Sequence, residues 1–328
     1  MKKICWFVSL IALIAAATAA TAAQTKKAAR IGLLSPGNLQ RQTQNPRMQA
    51  FFQGLRELGW VEGKNLIVER RFANDQLSQL YGLAIDLAAL KVDVIVTAAF
   101  PSAKAAKNAT STIPIVILDP GDPVGTGLVA SLARPGGNVT GISSIAPDLA
   151  TKRLQLLKET ATKISRVAVF FNNEIPPAEI AMKELATTAG ALKLDLQPVP
   201  VQNPNDFDKA FDLITQQHVD GLIVFADPLT FSTSEIIVNF ANGSHRPALY
   251  AAQEFVDTGG LMSYGPGYPN MFHRGAHFVD RILKGTKAAE LPVEQPMQFD
   301  FVINLKTANQ IGLTIPPNVL ARADKVIR

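Results

Sequence analysis

Short apolar runs alternate with longer stretches of helical period along this chain, and the alternation occurs twice. Arg30 to Ser35 reads as a buried strand that stops at Pro36-Gly37. Pro46 to Leu58 sets Phe51, Phe52, Leu55 and Leu58 on one face, an amphipathic helix closed by Gly59. Asn65 to Phe72 alternates as a strand, Gln76 to Leu90 is a Leu- and Ala-rich helix, and Val92 to Ala98 is a third strand. Ser102 is expected to cap a helix through Asn108. Ile113 to Leu118 then forms a fourth strand ending at Asp119-Pro120.

The second half follows the same plan. Ala150 to Lys163 is a helix and Arg166 to Phe171 a strand ending at Asn172-Asn173. Helix Pro177 to Leu192, strand Leu194 to Val201, a helix capped by Asp206, and strand Gly221 to Phe225 follow. Helix Thr233 to Ala241 and strand Pro247 to Ala252 complete the unit. Strands separated by helices of this length imply parallel βαβ units with right-handed crossovers.

The remainder looks discontinuous: strand Gly260 to Tyr264, helix Met271 to Leu283, and strand Phe299 to Asn304. One strand–helix pair is thus available to return to the first unit before the chain ends on the second. The expected fold class is α/β, with two Rossmann-like lobes of parallel sheet flanked by helices and three crossings between them. Residues 30–143 plus 259–288 would form lobe one, and 144–258 plus 289–328 lobe two.

The N-terminus changes the picture of where this fold operates. Lys2 and Lys3 precede an apolar stretch from Ile4 to Ala17, followed by small residues suited to cleavage near Ala22 or Ala23. That stretch is shorter than the roughly 20 residues of a membrane span. Residues 1–23 therefore read as a removable export signal. Cys5, the only cysteine, lies inside it and precedes the apolar run, which misplaces it for a lipid anchor. The mature chain then has no thiol for disulfides, zinc or nucleophilic catalysis. The expected location is the periplasm.

Charge adds little. The formal net charge of +5 falls to +3 when Lys2 and Lys3 leave, and the remaining cations are scattered. No aromatic-rich basic stripe is present, so nucleic acid is not an expected partner. Catalytic chemistry is equally thin. His273 and His277 share a helical face but lack a third ligand, so no metal site is expected. Gly121 to Gly127 lacks the Lys-Ser/Thr of a phosphate loop, and no Gly-x-Ser-x-Gly elbow occurs. No cofactor and no enzymatic activity are expected.

Open parallel sheets bind ligands beyond the carboxyl ends of their strands. That rule selects Ser35, Asn38, Phe100, Ser102 and Asp119 in lobe one. In lobe two it selects Asn172, Asn173, Asp227 and Glu254, with Tyr264 joining from near the hinge. Ser102 at a helix start could receive a carboxylate or serve as an ordinary cap. Asp227 could pair with an ammonium or form a strand-end turn with Pro228. Phe100 could stack on a ring or pack against its helix, and Asn172, Asn173 and Glu254 could equally be turn residues.

Several segments carry a resemblance. Asp119-Pro120-Gly121-Asp122-Pro123-Val124-Gly125 and Leu132-Ala133-Arg134-Pro135-Gly136-Gly137-Asn138-Val139-Thr140-Gly141-Ile142-Ser143 are the most recognisable. Gly259-Gly260-Leu261-Met262-Ser263-Tyr264-Gly265, Leu291-Pro292-Val293-Glu294-Gln295-Pro296, Phe301 to Ala308 and Ile311 to Pro317 add to them. Together they resemble the ABC transporter substrate-binding family that includes tryptophan- and phenylalanine-binding members. The resemblance implies a type I periplasmic binding protein architecture with a three-segment hinge. It implies delivery of a solute to a membrane permease and ATPase; the chain is expected to be a monomer, and the expected solute is small and polar, an amino acid with aromatic ones favoured. The rivals are a ligand sensor for a membrane receptor and, in another class, a periplasmic enzyme.

Overall fold

The computed structural model describes residues 27–144 and 146–328; the expected export signal, 1–23, lies outside them. Five parallel strands form a first sheet: β1 (Ala29–Ser35), β2 (Leu66–Phe72), β3 (Val94–Ala98), β4 (Ile115–Leu118) and β5 (Val139–Ile142), in the order β2-β1-β3-β4-β5. Each central strand is apolar on both faces, as a sheet covered on both sides requires. Ile31, Leu33, Val94, Val96, Val116 and Leu118 pack on one side with residues of helix Pro46–Glu57. Leu34, Ile95, Ile115 and Ile117 pack on the other with helices Leu80–Ala89 and Ala99–Ala109.

The second sheet has seven strands: β6 (Arg166–Phe171), β7 (Asp195–Pro200), β8 (Gly221–Val224), β9 (Ala248–Tyr250), β10 (Met262–Pro266), β11 (Phe299–Asn304) and β12 (Lys325–Ile327). Their order is β12-β11-β10-β9-β8-β6-β7, and β11 runs antiparallel to β10. Helices Ala146–Thr160 and Pro176–Ala191 cover one face, while Asp206–Gln216 and Ser234–Gly243 cover the other.

Two expectations about lobe membership need correction. Strand Gly260 to Tyr264 was assigned to lobe one, yet β10 sits in the second sheet, where Met262 pairs with Leu249 and Ile303. The same apolar cluster buries Leu261 and Met262 with Ile223 and Ile303. Only helix Tyr268–Leu283 returns to the first sheet. It packs on helix Pro46–Glu57 at Gly54, where a Cβ would lie 2.7 Å from the His273 carbonyl oxygen, and on β4 at Gly275, where a Cβ would collide with Leu118. The second correction is that residues 289–294 remain with lobe one. Val293 N–H donates to the Leu132 carbonyl and Glu294 N–H to that of Gly141. The chain therefore passes between the lobes after β5, after β10 and after Glu294.

Small elements escaped the sequence pattern. β5 and β12 are only four and three residues long. Helices Leu39–Gln44, Pro228–Ser232 and Gln253–Asp257 span one to two turns, too few for a period to register.

Candidate functional site

The two sheets aim the carboxyl ends of their strands at each other across a cleft of about 410 Å³. Lobe one contributes Ala98 to Pro101 after β3, Asp119 to Gly121 after β4, and Asn45 to Arg47. Lobe two contributes Ile175, Pro177 and Ala178 after β6, Phe225 to Pro228 after β8, and Glu254 after β9. Tyr268 and Phe272 enter from the returning helix.

Arg47 lies at the centre and is 6% exposed. Its backbone N–H is accepted by the Asn45 side chain at 2.9 Å, which starts the helix. Its guanidinium crosses to lobe two, where Nε donates to Glu254. Nη1 lies 3.7 Å from an Asp119 carboxylate oxygen. The guanidinium carbon stands 3.7 Å from the Tyr268 ring centre and 4.2 Å from that of Phe231, a cation held between aromatic faces. Nη2 is buried without a partner among the described residues. Burial raises Glu254, but the adjacent Arg47 charge and hydrogen bond bring it below its ordinary value. Burial pushes Asp119 up to about 6, although Arg47 and the Ser144 hydroxyl oppose the shift.

A second buried arginine, Arg153, lines the same cleft and is tied to carbonyls of lobe two. Arg153 donates from Nε to the Tyr264 carbonyl at 2.7 Å and from Nη2 to that of Ala251 at 3.3 Å. It ties the helix behind the cleft to the ends of β9 and β10. Desolvation lowers its pKa to about 10, still well above neutral pH.

Asp227 caps helix Pro228–Ser232. Oδ1 accepts from the N–H groups of Leu229 and Thr230 at 2.8 and 3.1 Å, and the Thr230 hydroxyl accepts from the Asp227 N–H. Oδ2 is buried and has no partner among the described residues. Burial lifts the group to about 6 against those hydrogen bonds. Across the cleft, helix Ala99–Ala109 begins at Ala98 without a side-chain cap. Ala99 there has φ 65°, a left-handed conformation costly for a residue with a Cβ.

Of the residues expected from the sequence, Phe100, Asp119, Asp227 and Glu254 line the cleft. Ser102 does not cap its helix, which starts three residues earlier; it sits inside the first turn, fully buried. Ser35 is buried and accepts from the Gln42 side chain at 2.7 Å. Asn38 caps helix Leu39–Gln44. Asn172 accepts from the Glu174 N–H, and Asn173 from the Gln202 side chain. The Tyr264 ring packs beside Phe299 and Phe301, and only its carbonyl serves the site, through Arg153. These six residues do not line the cleft. Asn38 and Asn172 spend their side-chain oxygens on nearby backbone N–H groups, and Ser35 and Asn173 on glutamine side chains, before they can face a solute.

The sequence reading missed Arg47, Arg153 and Tyr268. Two of them carried a signal. Arg47 occupies the first turn of its helix, where the dipole disfavours a cation, and Arg153 interrupts the apolar stripe of Leu149, Leu156 and Leu157.

Two lobes built on largely parallel sheets, three crossings and a largely apolar cleft with a few buried charged groups between strand ends define a two-lobed binding protein of the type I periplasmic class. The family model described as ABC transporter substrate binding protein matches residues 40–327, and the chain belongs to that family. It is the substrate-binding component of an ABC transporter. A tyrosine-binding protein of Clostridioides difficile (strain R20291) is 26% identical over 265 residues, 81% of this chain and 76% of that protein. The crystal structure of an ABC domain in complex with L-Trp from Streptococcus pneumonia is 26% identical, covers 92% of this chain and 100% of that one, and superposes with a TM-score of 0.85. A ligand-free, open substrate binding protein from Clostridium difficile, 25% identical with 92% and 99% covered, gives 0.66.

Proposed function

We propose that this chain is exported to the periplasm and captures an amino acid with an apolar, aromatic side chain for uptake. The observation that carries this reading is Asp227: a buried carboxylate with one oxygen unpartnered, set in a cleft otherwise walled largely by Phe100, Phe225, Phe231, Tyr268 and Phe272. An α-ammonium satisfies that oxygen and a ring fills the apolar remainder. The names of the tyrosine-binding relative and of the L-Trp complex support the same chemistry.

Capture works by closure. A solute touching both lobes favours the closed arrangement by its difference in affinity for the two states. Micromolar binding requires about −8.2 kcal/mol, within reach of a few charge-assisted hydrogen bonds and one desolvated ring. The closed monomer is then what the permease and its ATPase recognise, and no bond in the solute is broken.

Thermal unfolding of the mature protein against the twenty amino acids tests the reading. A solute at about 100 times its dissociation constant adds roughly 2.7 kcal/mol, and one or two aromatic amino acids should give that shift. Absence of a shift with every amino acid would overturn the amino-acid assignment.

A further inference from the structure

Arg47 presents more hydrogen-bonding capacity than the protein around it uses. A guanidinium carries five N–H donors. Glu254 takes the one on Nε, Asp119 stands near Nη1, and Nη2 has no partner although the side chain is buried. Arg153, equally buried, ends on backbone carbonyls that hold it in place. Both arginines line the cleft, but of the two only Arg47 has a nitrogen that is buried and, among the described residues, unpartnered. The charged groups facing Arg47 are Glu254 from lobe two and Asp119 from lobe one, with the Tyr268 and Phe231 rings on its faces.

We propose that Arg47 receives the carboxylate of the solute, while Glu254 holds the guanidinium in position across the cleft. Asp227 on the opposite wall then receives the ammonium, so the two ends of one zwitterion bind the two lobes. The inference deepens the amino-acid reading and rests on it for the identity of the solute, but not for the anion site itself. A planar guanidinium offers parallel N–H groups to a carboxylate, which a lysine in the same place does not. The unpartnered nitrogen makes the solute's carboxylate a requirement, because a buried donor left unmade costs more than the bond contributes when formed.

Three probes dissect the site: L-phenylalanine, phenethylamine, which lacks the carboxylate, and 3-phenylpropionate, which lacks the ammonium. Their dissociation constants are measured by calorimetry on wild type, Arg47→Met and Glu254→Gln, each checked by circular dichroism and melting. Arg47→Met should weaken L-phenylalanine and 3-phenylpropionate by about 10- to 100-fold and change phenethylamine by less than about threefold. Glu254→Gln should weaken both carboxylates by a smaller factor, about three- to tenfold, since the guanidinium remains but loses its charged anchor. Equal loss of all three probes in Arg47→Met, or none, would overturn the proposal. If wild type ignores L-phenylalanine but binds 3-phenylpropionate in an Arg47-dependent way, the amino-acid reading fails and the anion site stands. If wild type binds neither carboxylate, Arg47 is not an anion receptor.

Discussion

The two walls of the cleft are built from the same βα plan yet are finished differently. On lobe one the backbone does the shaping: Asp75, Ala99 and Asp119 all line the cleft with positive φ. On lobe two the non-glycine residues with positive φ are Lys193, His218 and His245, each just past a helix end. The lobe-two wall is held instead by side chains, with Asp227 closing a capping box and Arg153 clamping two carbonyls. The lobe-one arginine keeps one buried nitrogen without a partner among the described residues, whereas the hydrogen bonds of Arg153 run to carbonyls of its own lobe. The difference teaches where to look for the solute's anion and where for its cation.

The largest effect should come from the strands that lead into the crossings, where the lobes are alike. A Cβ on Gly141 of β5 would press into the Ile117 backbone, with nitrogen at 2.7 Å, and φ there is +139°. A Cβ on Gly265 of β10 would collide with the Ala251 carbonyl oxygen. Gly141→Ala and Gly265→Ala should each cost about 3 kcal/mol in urea unfolding; tolerance of one alone would show that the lobes are not equivalent there.

The arginines sharpen the contrast next. Arg153→Met strands two buried carbonyls and should cost about 2–4 kcal/mol. Arg47→Met should cost about 1 kcal/mol, because Glu254 keeps a third of its side chain exposed and can rehydrate. Equal losses in urea unfolding would erase the distinction between a structural and a binding arginine.

Acidity tests the lobe-two wall. Burial holds Asp227 at about 6, so the native state binds a proton more tightly than the unfolded chain. The stability this group contributes is complete below about pH 4, the unfolded value, and is lost as pH rises through 6. Asp119 follows the same sign. Binding runs the other way, since an ammonium needs the ionised carboxylate. Affinity for an amino acid should fall about tenfold for each pH unit below 6, and Asp227→Asn should remove that dependence in calorimetric titrations. The smallest effect belongs to lobe one: Ala99→Gly relieves a left-handed alanine and should stabilise by about 0.5–1 kcal/mol, read as a rise in melting temperature.

The sheets were legible because continuous apolar runs such as Val94 to Val96 and Val167 to Phe170 can be buried on both faces only in parallel sheets. β6 and β11 fall where the pattern places them, at Arg166–Phe171 and Phe299–Asn304. β5 was hidden because Gly141 and Thr140 interrupt a four-residue strand. The returning pair was divided wrongly because β10 and the helix after it are both apolar enough for either lobe. Only pairing with β9 and β11 decides between them.

The sequence by itself determined two α/β units, the order of their strands and helices, and which turns lie at the strand ends. Those are local consequences of periodicity and turn chemistry. Tertiary structure alone decided which strand-end residues reach the solute. Ser35, Asn38, Asn172 and Asn173 spend their polar atoms on nearby backbone or side chains. Arg47 meets a carboxylate 207 residues away, and no local pattern encodes a contact made only when two lobes face each other.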